Sequence, residues 1–144
     1  MFGTSGVRGR VGDEITAELA LDVGRALATD GAQTVVLGRD ARDSGRTLSR
    51  AVSAGITECG ADVIDVGVQP TPTVARTVVR EGADAGVVVT ASHNPAPDNG
   101  IKLWAADGRA FDEDANARIT DLIETGTFEL AAWDELGEHR RQGG

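Results

Sequence analysis

Apolar and polar positions along this chain recur in two rhythms. Between Thr16 and Gly31, Leu19, Val23, Ala26 and Leu27 fall at helical spacing, and Thr16 stands where an N-cap belongs. Thr34-Val35-Val36-Leu37 is a short continuous apolar run, the mark of a buried strand, closed by Gly38-Arg39-Asp40. The alternation then repeats. Ser44 can cap a helix carrying Leu48, Val52, Ile56 and Cys59 that stops at Gly60, and Val63-Ile64-Asp65-Val66 reads as the next strand. A third helix is expected from about Thr73 to Glu81, with Val74, Thr77 and Val78 inward. Ala85 to Thr90 holds the most apolar strand, and Ile101-Lys102-Leu103-Trp104 another, followed by a hairpin at Asp107-Gly108. The last helix, about Asp112 to Thr125, presents Ile119, Leu122 and Ile123 on one side. From Gly137 onward no period remains, as in a linker. Strands alternating with helices of ten or more residues predict a layered α/β domain with a mostly parallel sheet.

Composition narrows the picture. A chain of 144 residues, 40% hydrophobic and 26% charged, fits one folded domain. Aromatic residues are 3% and tyrosine is absent, so the core must come from Val, Ile, Leu and Ala. No apolar run approaches the roughly 20 residues of a membrane helix, and the first residues lack the basic and apolar regions of a secretory leader. A cytoplasmic chain is expected, without a membrane partner. Cys59 is the only cysteine, so neither an intrachain disulfide nor a cysteine metal cluster is available. The net charge of −9 argues against a nucleic-acid partner, which would be repelled. Lys102 is the only lysine among otherwise arginine cations. Adaptation to concentrated salt, with the self-repulsion screened, and a GC-rich genome both account for that bias. Either way, the one surviving lysine invites a chemical explanation.

In an α/β domain, ligands gather where strands end and helices begin, and three polar loops fall at such places. The first runs from Gly38 to Arg46, where helix-start amides and Arg39, Arg42 and Arg46 could face an anion. Its Asp and Arg side chains could equally pair with one another. The second, Thr90-Ala91-Ser92-His93-Asn94-Pro95, follows the most buried strand and exposes a serine at a turn. A serine hydrolase fits poorly: no Gly-x-Ser-x-Gly elbow occurs, and His93 adjoins the serine in sequence. The third is Asp98-Asn99-Gly100-Ile101-Lys102. A turn at Asn99-Gly100 would fold the next strand back and return Lys102 toward Ser92, to clamp a phosphate or shuttle a proton. Neither a nucleotide-triphosphate loop nor a dinucleotide fingerprint is present.

Taken together, Phe2-Gly3-Thr4-Ser5-Gly6-Val7-Arg8-Gly9, Gly38-Arg39-Asp40-Ala41-Arg42, and Thr90 to Pro95 with Asp98 to Lys102 resemble the first domain of the α-D-phosphohexomutases. That superfamily includes phosphoglucomutase, phosphomannomutase and phosphoglucosamine mutase. The resemblance implies a three-layer α/β/α sandwich around a mixed four-stranded sheet with one antiparallel strand. It implies that Ser92 is a phosphoserine that gives its phosphoryl group to a hexose or hexosamine phosphate, moving it between the 1- and 6-positions through a bisphosphate that reorients. Lys102, Arg8 and His93 are the implied catalytic companions. Thr4, Ser5, Arg39 and Asn94 are implied in phosphate binding or loop support. Mg²⁺ is the implied cofactor, bound here only through the phosphate on Ser92. The chain departs from the family in lacking the Asp-Gly-Asp-x-Asp magnesium loop of the second domain and the sugar- and phosphate-holding loops of the third and fourth. Residues 1–137 are therefore expected to be the first domain and 138–144 the start of a linker to domains II–IV. The domain alone is expected to be inactive. A phosphate-binding module without catalysis is the alternative.

Overall fold

A computed structural model describes residues 2–3 and 6–142. Thr4 and Ser5 lie outside the described residues. Ten elements follow in chain order: β1 (Val7–Arg10), α1 (Ala17–Thr29), β2 (Thr34–Arg39), α2 (Gly45–Glu58), β3 (Asp62–Val68), α3 (Thr71–Arg80), β4 (Ala85–Val89), β5 (Asp98–Ala105), α4 (Glu113–Thr125) and β6 (His139–Arg141). The caps follow the side chains at hand. Thr16 accepts the Leu19 amide at the start of α1, and Asp112 accepts the Ala115 amide at the start of α4. Ser44 does not cap α2. Its hydroxyl accepts instead from the buried Asn99 amide at 2.8 Å, a contact between residues far apart in the chain.

The strands form one sheet in the order β1-β5-β4-β2-β3-β6. β2 runs parallel to β3 and β4, and β6 parallel to β3, while β5 is antiparallel to both β4 and β1. The one antiparallel strand is thus β5, as expected, but the sheet has six strands rather than four. Both additions lie at the edges. β1 is assembled from the glycine- and arginine-bearing opening, and β6 from the tail without periodicity. Each is held by backbone pairing to a neighbour, which needs no apolar alternation of its own.

Helices α1, α2 and α4 cover one face of the sheet, where Val35, Leu37, Val63, Val87 and Leu103 meet Val23, Leu27, Val52, Ile56 and Ile119. α3 covers the other, where Val74 and Val78 pack on Val36, Ile64, Val66 and Val88. The three-layer α/β/α sandwich is complete. Cys59 ends α2 half-buried, and burial pushes its thiol above the ordinary range. Among the described residues, no helix is long and apolar enough to cross a membrane.

Candidate functional site

The crossovers decide where a site can form. From β2 the chain passes through α2 on one face to β3, and from β3 it returns through α3 on the other face to β4. Neighbouring β2 and β3 therefore send their following segments to opposite faces, leaving a crevice beyond the carboxyl ends of β2, β3 and β4. An open cleft of about 430 Å³ lies there. Asp40 reaches it from the end of β2, Gln69 to Thr71 from the end of β3, and Thr90 and Ser92 from the end of β4. Arg8 from β1 and Lys102 from β5 close its remaining side.

Ser92 is exposed at the turn and has φ 56°, the one non-glycine residue with positive φ among those described. A serine in that region carries strain of order 1 kcal/mol or more, which the surrounding bonds must offset. The Ser92 N–H donates to Thr90 Oγ1 at 3.0 Å, and that hydroxyl donates to Asp40 Oδ2 at 2.6 Å. Asp40 also accepts the Arg42 amide at 3.1 Å and Arg42 Nε at 3.2 Å. The Arg42 guanidinium then donates to the carbonyls of Ser92 (2.8 Å), Asn94 (2.7 Å), Pro95 (2.8 Å) and Asp98 (3.2 Å). Asn94 ties the loop across itself, its Nδ2 donating to Asp98 Oδ2 at 3.2 Å.

Lys102 pairs in register with Val88 on β4, so the return strand does carry it back to the serine's cleft. The turn that achieves this lies upstream of the expected place. Asn99 and Gly100 are inside β5, and the chain reverses over 92–97. Gly100 is required for space: a Cβ there would stand 2.6 Å from the Val7 carbonyl and 2.8 Å from the Thr90 carbonyl. Gly6, with φ 78°, likewise lies too close to the Ile101 carbonyl for any side chain.

Among the described residues, neither Arg8 nor Lys102 has an ion-pair or hydrogen-bond partner, whereas Arg42 is fully engaged. Lys102 Nζ rests 5.0 Å from the centroid of the Trp104 ring, two residues along the same face of β5. The N-terminus of α3, without an acidic residue in its first turn, borders the same cleft and adds partial positive charge. Positive charge from Arg8, Lys102 and the start of α3 thus faces this cleft, which the Asp40 carboxylate also borders.

Of the other expected residues that are described, His93, Arg39 and Asn94 do not line the cleft. His93 is exposed, and it is not among the residues that line the cleft. Arg39 turns away, donating to the Asp40 carbonyl at 3.3 Å beneath the start of α2. Sequence reasoning offered Arg42 only as one of three arginines that could face an anion, and it passed over Asp40 and Thr90 as site residues. The local signal was Asp40-Ala41-Arg42, a carboxylate positioned to accept its own chain's amide two residues on. His139 offers Ser92 no base. Its imidazole lies on β6, bonded to Ser53 Oγ at 2.5 Å and Asp65 Oδ2 at 3.1 Å. Ser53 is itself buried within α2, and the arrangement fastens β6 to the domain. A serine hydrolase finds no support in this geometry.

No group of three His, Cys, Asp or Glu side chains among the described residues could hold a metal ion. Asp40, the carboxylate on the cleft, already accepts bonds from Thr90 and Arg42. The described residues do not by themselves fit a Mg²⁺ site, which calls for a near-octahedral oxygen shell.

Comparison with known proteins agrees with the architecture. Residues 1–130 match the family model described as phosphoglucomutase/phosphomannomutase, alpha/beta/alpha domain I. A probable phosphoglucosamine mutase of Methanosphaera stadtmanae is 46% identical over 141 residues, which is 96% of this chain and 31% of that protein. One from Methanothermobacter thermautotrophicus is 50% identical over 139 residues, 95% of this chain and 31% of that protein. Among solved structures, a phosphoglucomutase/phosphomannomutase family protein from Burkholderia thailandensis superposes with a TM-score of 0.83 at 31% identity, covering 99% of this chain and 34% of its own. The chain spans about a third of the length of these relatives.

Proposed function

The chain belongs to the phosphoglucomutase/phosphomannomutase family, as its alpha/beta/alpha domain I, and on that premise we propose that Ser92 carries and transfers the phosphoryl group of a hexose or hexosamine phosphate mutase. One observation carries the reading. An exposed serine in a left-handed turn shares a crevice with two cations, Arg8 and Lys102, that have no partner among the described residues. Phosphoryl transfer asks a protein mainly for positioning and for charge neutralisation, and both are on hand.

In the forward step the bond between phosphorus and the Ser92 oxygen breaks as a sugar hydroxyl oxygen bonds to phosphorus. The sugar hydroxyl loses its proton and the departing Ser92 oxygen gains one, so the net charge of the site is unchanged. The Lys102 ammonium is the candidate acid for the Ser92 oxygen and is restored by the proton the hydroxyl gives up, while Arg8 offsets charge on the phosphoryl oxygens. The sugar is then a bisphosphate. After it reorients, its other phosphoryl group returns to Ser92, restoring the phosphoserine and leaving the isomeric monophosphate. His93, beside the serine, and Asn94, across the loop, support this segment; Arg39 supports the neighbouring loop through the Asp40 carbonyl, and Thr4 and Ser5 are proposed to assist phosphate binding. A Mg²⁺ ion bound through the phosphoserine would neutralise charge, but its other ligands have to come from outside this chain. Residues 1–137 would form the domain, with the segment from 138 adding the edge strand β6 before the chain leads to further domains that hold the metal and the sugar. The names of the archaeal relatives favour a hexosamine phosphate.

The test is made on the longer protein that contains this domain. Peptide mapping should find one phosphoryl group on Ser92, and Ser92→Ala should abolish conversion of the 1-phosphate to the 6-phosphate. Lys102→Arg should restore only part of what Lys102→Ala loses, since a guanidinium keeps the charge but does not release a proton. An unphosphorylated Ser92 in a protein that turns over would overturn the reading; bound phosphate without turnover would leave a binding module. The 144-residue chain alone should give no turnover.

A further inference from the structure

We infer that Arg42, which the sequence offered only as a direct anion partner, is the positioning residue of the Ser92 loop. Its guanidinium holds Ser92 in the left-handed conformation that presents the side chain to Arg8 and Lys102. The inference rests on the reading of Ser92 as a phosphoserine.

A guanidinium has five N–H donors in one plane, and here all of them are used. Nε meets Asp40 Oδ2 at 3.2 Å, Nη1 the carbonyls of Pro95 and Asp98 at 2.8 and 3.2 Å, and Nη2 those of Ser92 and Asn94 at 2.8 and 2.7 Å. Four carbonyls of one loop thus converge on one side chain from another. Arg42 also holds both backbone groups of Ser92. It takes the carbonyl directly, and the N–H through Thr90 and Asp40, closing a ring of hydrogen bonds around the strained residue.

Few other bonds secure this segment. Within it Asn94 N donates to the Ala91 carbonyl at 3.1 Å, Asp98 N to the Pro95 carbonyl at 2.9 Å and Asn94 Nδ2 to Asp98 Oδ2. From outside, Val11 N donates to the Pro97 carbonyl at 3.1 Å, and Pro95 and Pro97 have no N–H to give. Ala91 is buried, but Ser92, His93, Pro95, Ala96 and Pro97 are exposed, so apolar packing does not anchor the turn. Arg42 does not line the cleft. Its influence on the phosphate passes through the loop, and a lysine, with three donors on a point charge, cannot reproduce the planar convergence.

The experiment uses the 144-residue chain with phosphoserine incorporated at position 92 during synthesis, and follows the phosphate by ³¹P NMR against pH. A phosphate held between Arg8 and Lys102 should ionise for the second time below the ordinary value of about 6. Arg42→Lys keeps the net charge and should lose at least half of that depression while the far-ultraviolet circular dichroism stays unchanged. A depression of equal size in Arg42→Lys overturns the inference and leaves the cleft reading standing. An ordinary value in the unsubstituted chain overturns the cleft reading and this inference with it. Should Arg42→Lys not fold, the unsubstituted chain decides: the Arg42 guanidinium hydrogens should exchange with water markedly more slowly than those of exposed Arg109. Exchange at the same rate overturns the inference.

Discussion

At the scale of single residues, the site concentrates its strain in one place. Ser92 adopts φ 56°, while the other residues with positive φ among those described are glycines. Relieving the left-handed penalty gains about 1–2 kcal/mol, and the greater freedom of glycine in the unfolded chain offsets about 0.5–1 of it. Ser92→Gly should therefore stabilise the domain by roughly 0.5–1 kcal/mol, raising the unfolding temperature by a few degrees. A thermal melt that shows no rise would mean that the loop bonds, not the serine backbone, set the local energy. That a stabilising substitution should be available at the very residue proposed to carry the phosphoryl group is the expected trade between stability and function. Lys102 makes a related point. Its isolation among arginines drew attention to it in the sequence, and the fold delivers it to the same cleft as Ser92, over the Trp104 ring.

Among the elements, the tightest junction is the crossing of α1 and α2. A Cβ on Gly24 would run into the Val52 carbonyl, and one on Gly55 into the Leu21 carbonyl, so the two helices meet backbone to backbone through reciprocal glycines. Helix propensity alone would favour alanine at either position by about 1 kcal/mol. The obstructing atoms are backbone, which cannot swing aside, so sterics win. Gly24→Ala and Gly55→Ala should each destabilise the domain by about 1–3 kcal/mol, seen as a lower urea midpoint at unchanged slope. A midpoint that rose would show that propensity governs this crossing. The helices themselves were legible from apolar spacing, and α1, α2, α3 and α4 all lie where Thr16, Ser44, Thr73 and Asp112 suggested, within a few residues. β1 and β6 were not legible. Val7–Arg10 alternates half-buried with exposed positions, His139–Arg141 is exposed throughout, and pairing with β5 and β3 makes them strands.

For the whole molecule, charge is the property that composition imposes and the fold must accommodate. The net charge of −9 is the acidic excess that remains after every cation is counted, including those in pairs such as Arg25 with Glu58 and Arg118 with Asp30. Those pairs hold both guanidinium pKa values above the usual arginine range, through hydrogen bonds to Glu58 and Asp30. At about 0.01 M salt the Debye length is roughly 30 Å, comparable with a domain this size, and at 1 M it is roughly 3 Å. Ordinary screening of self-repulsion should therefore saturate within a few tenths molar. If the acidic, lysine-poor composition reflects salt adaptation, the unfolding temperature should keep climbing as potassium chloride enters the molar range. A plateau beyond a few tenths molar would favour the GC-rich genome instead.

The sequence by itself determined the layered α/β class, the helices and the buried strands, because side-chain burial leaves its period in the order of residues. It also carried the motifs around Arg8, Arg39 to Arg42 and Ser92 to Lys102, on which the family resemblance rests. Only the tertiary structure decided which of those residues meet. Arg42 reaches the Ser92 carbonyl across 50 positions, and Asn99 reaches Ser44 across 55, turning a suspected cap and a suspected turn into parts of other elements. Neither contact leaves a local period. Polar bonds between distant loops, and backbone pairing at sheet edges, depend on where the chain has already been brought by its core, so they become visible only once the core is in place.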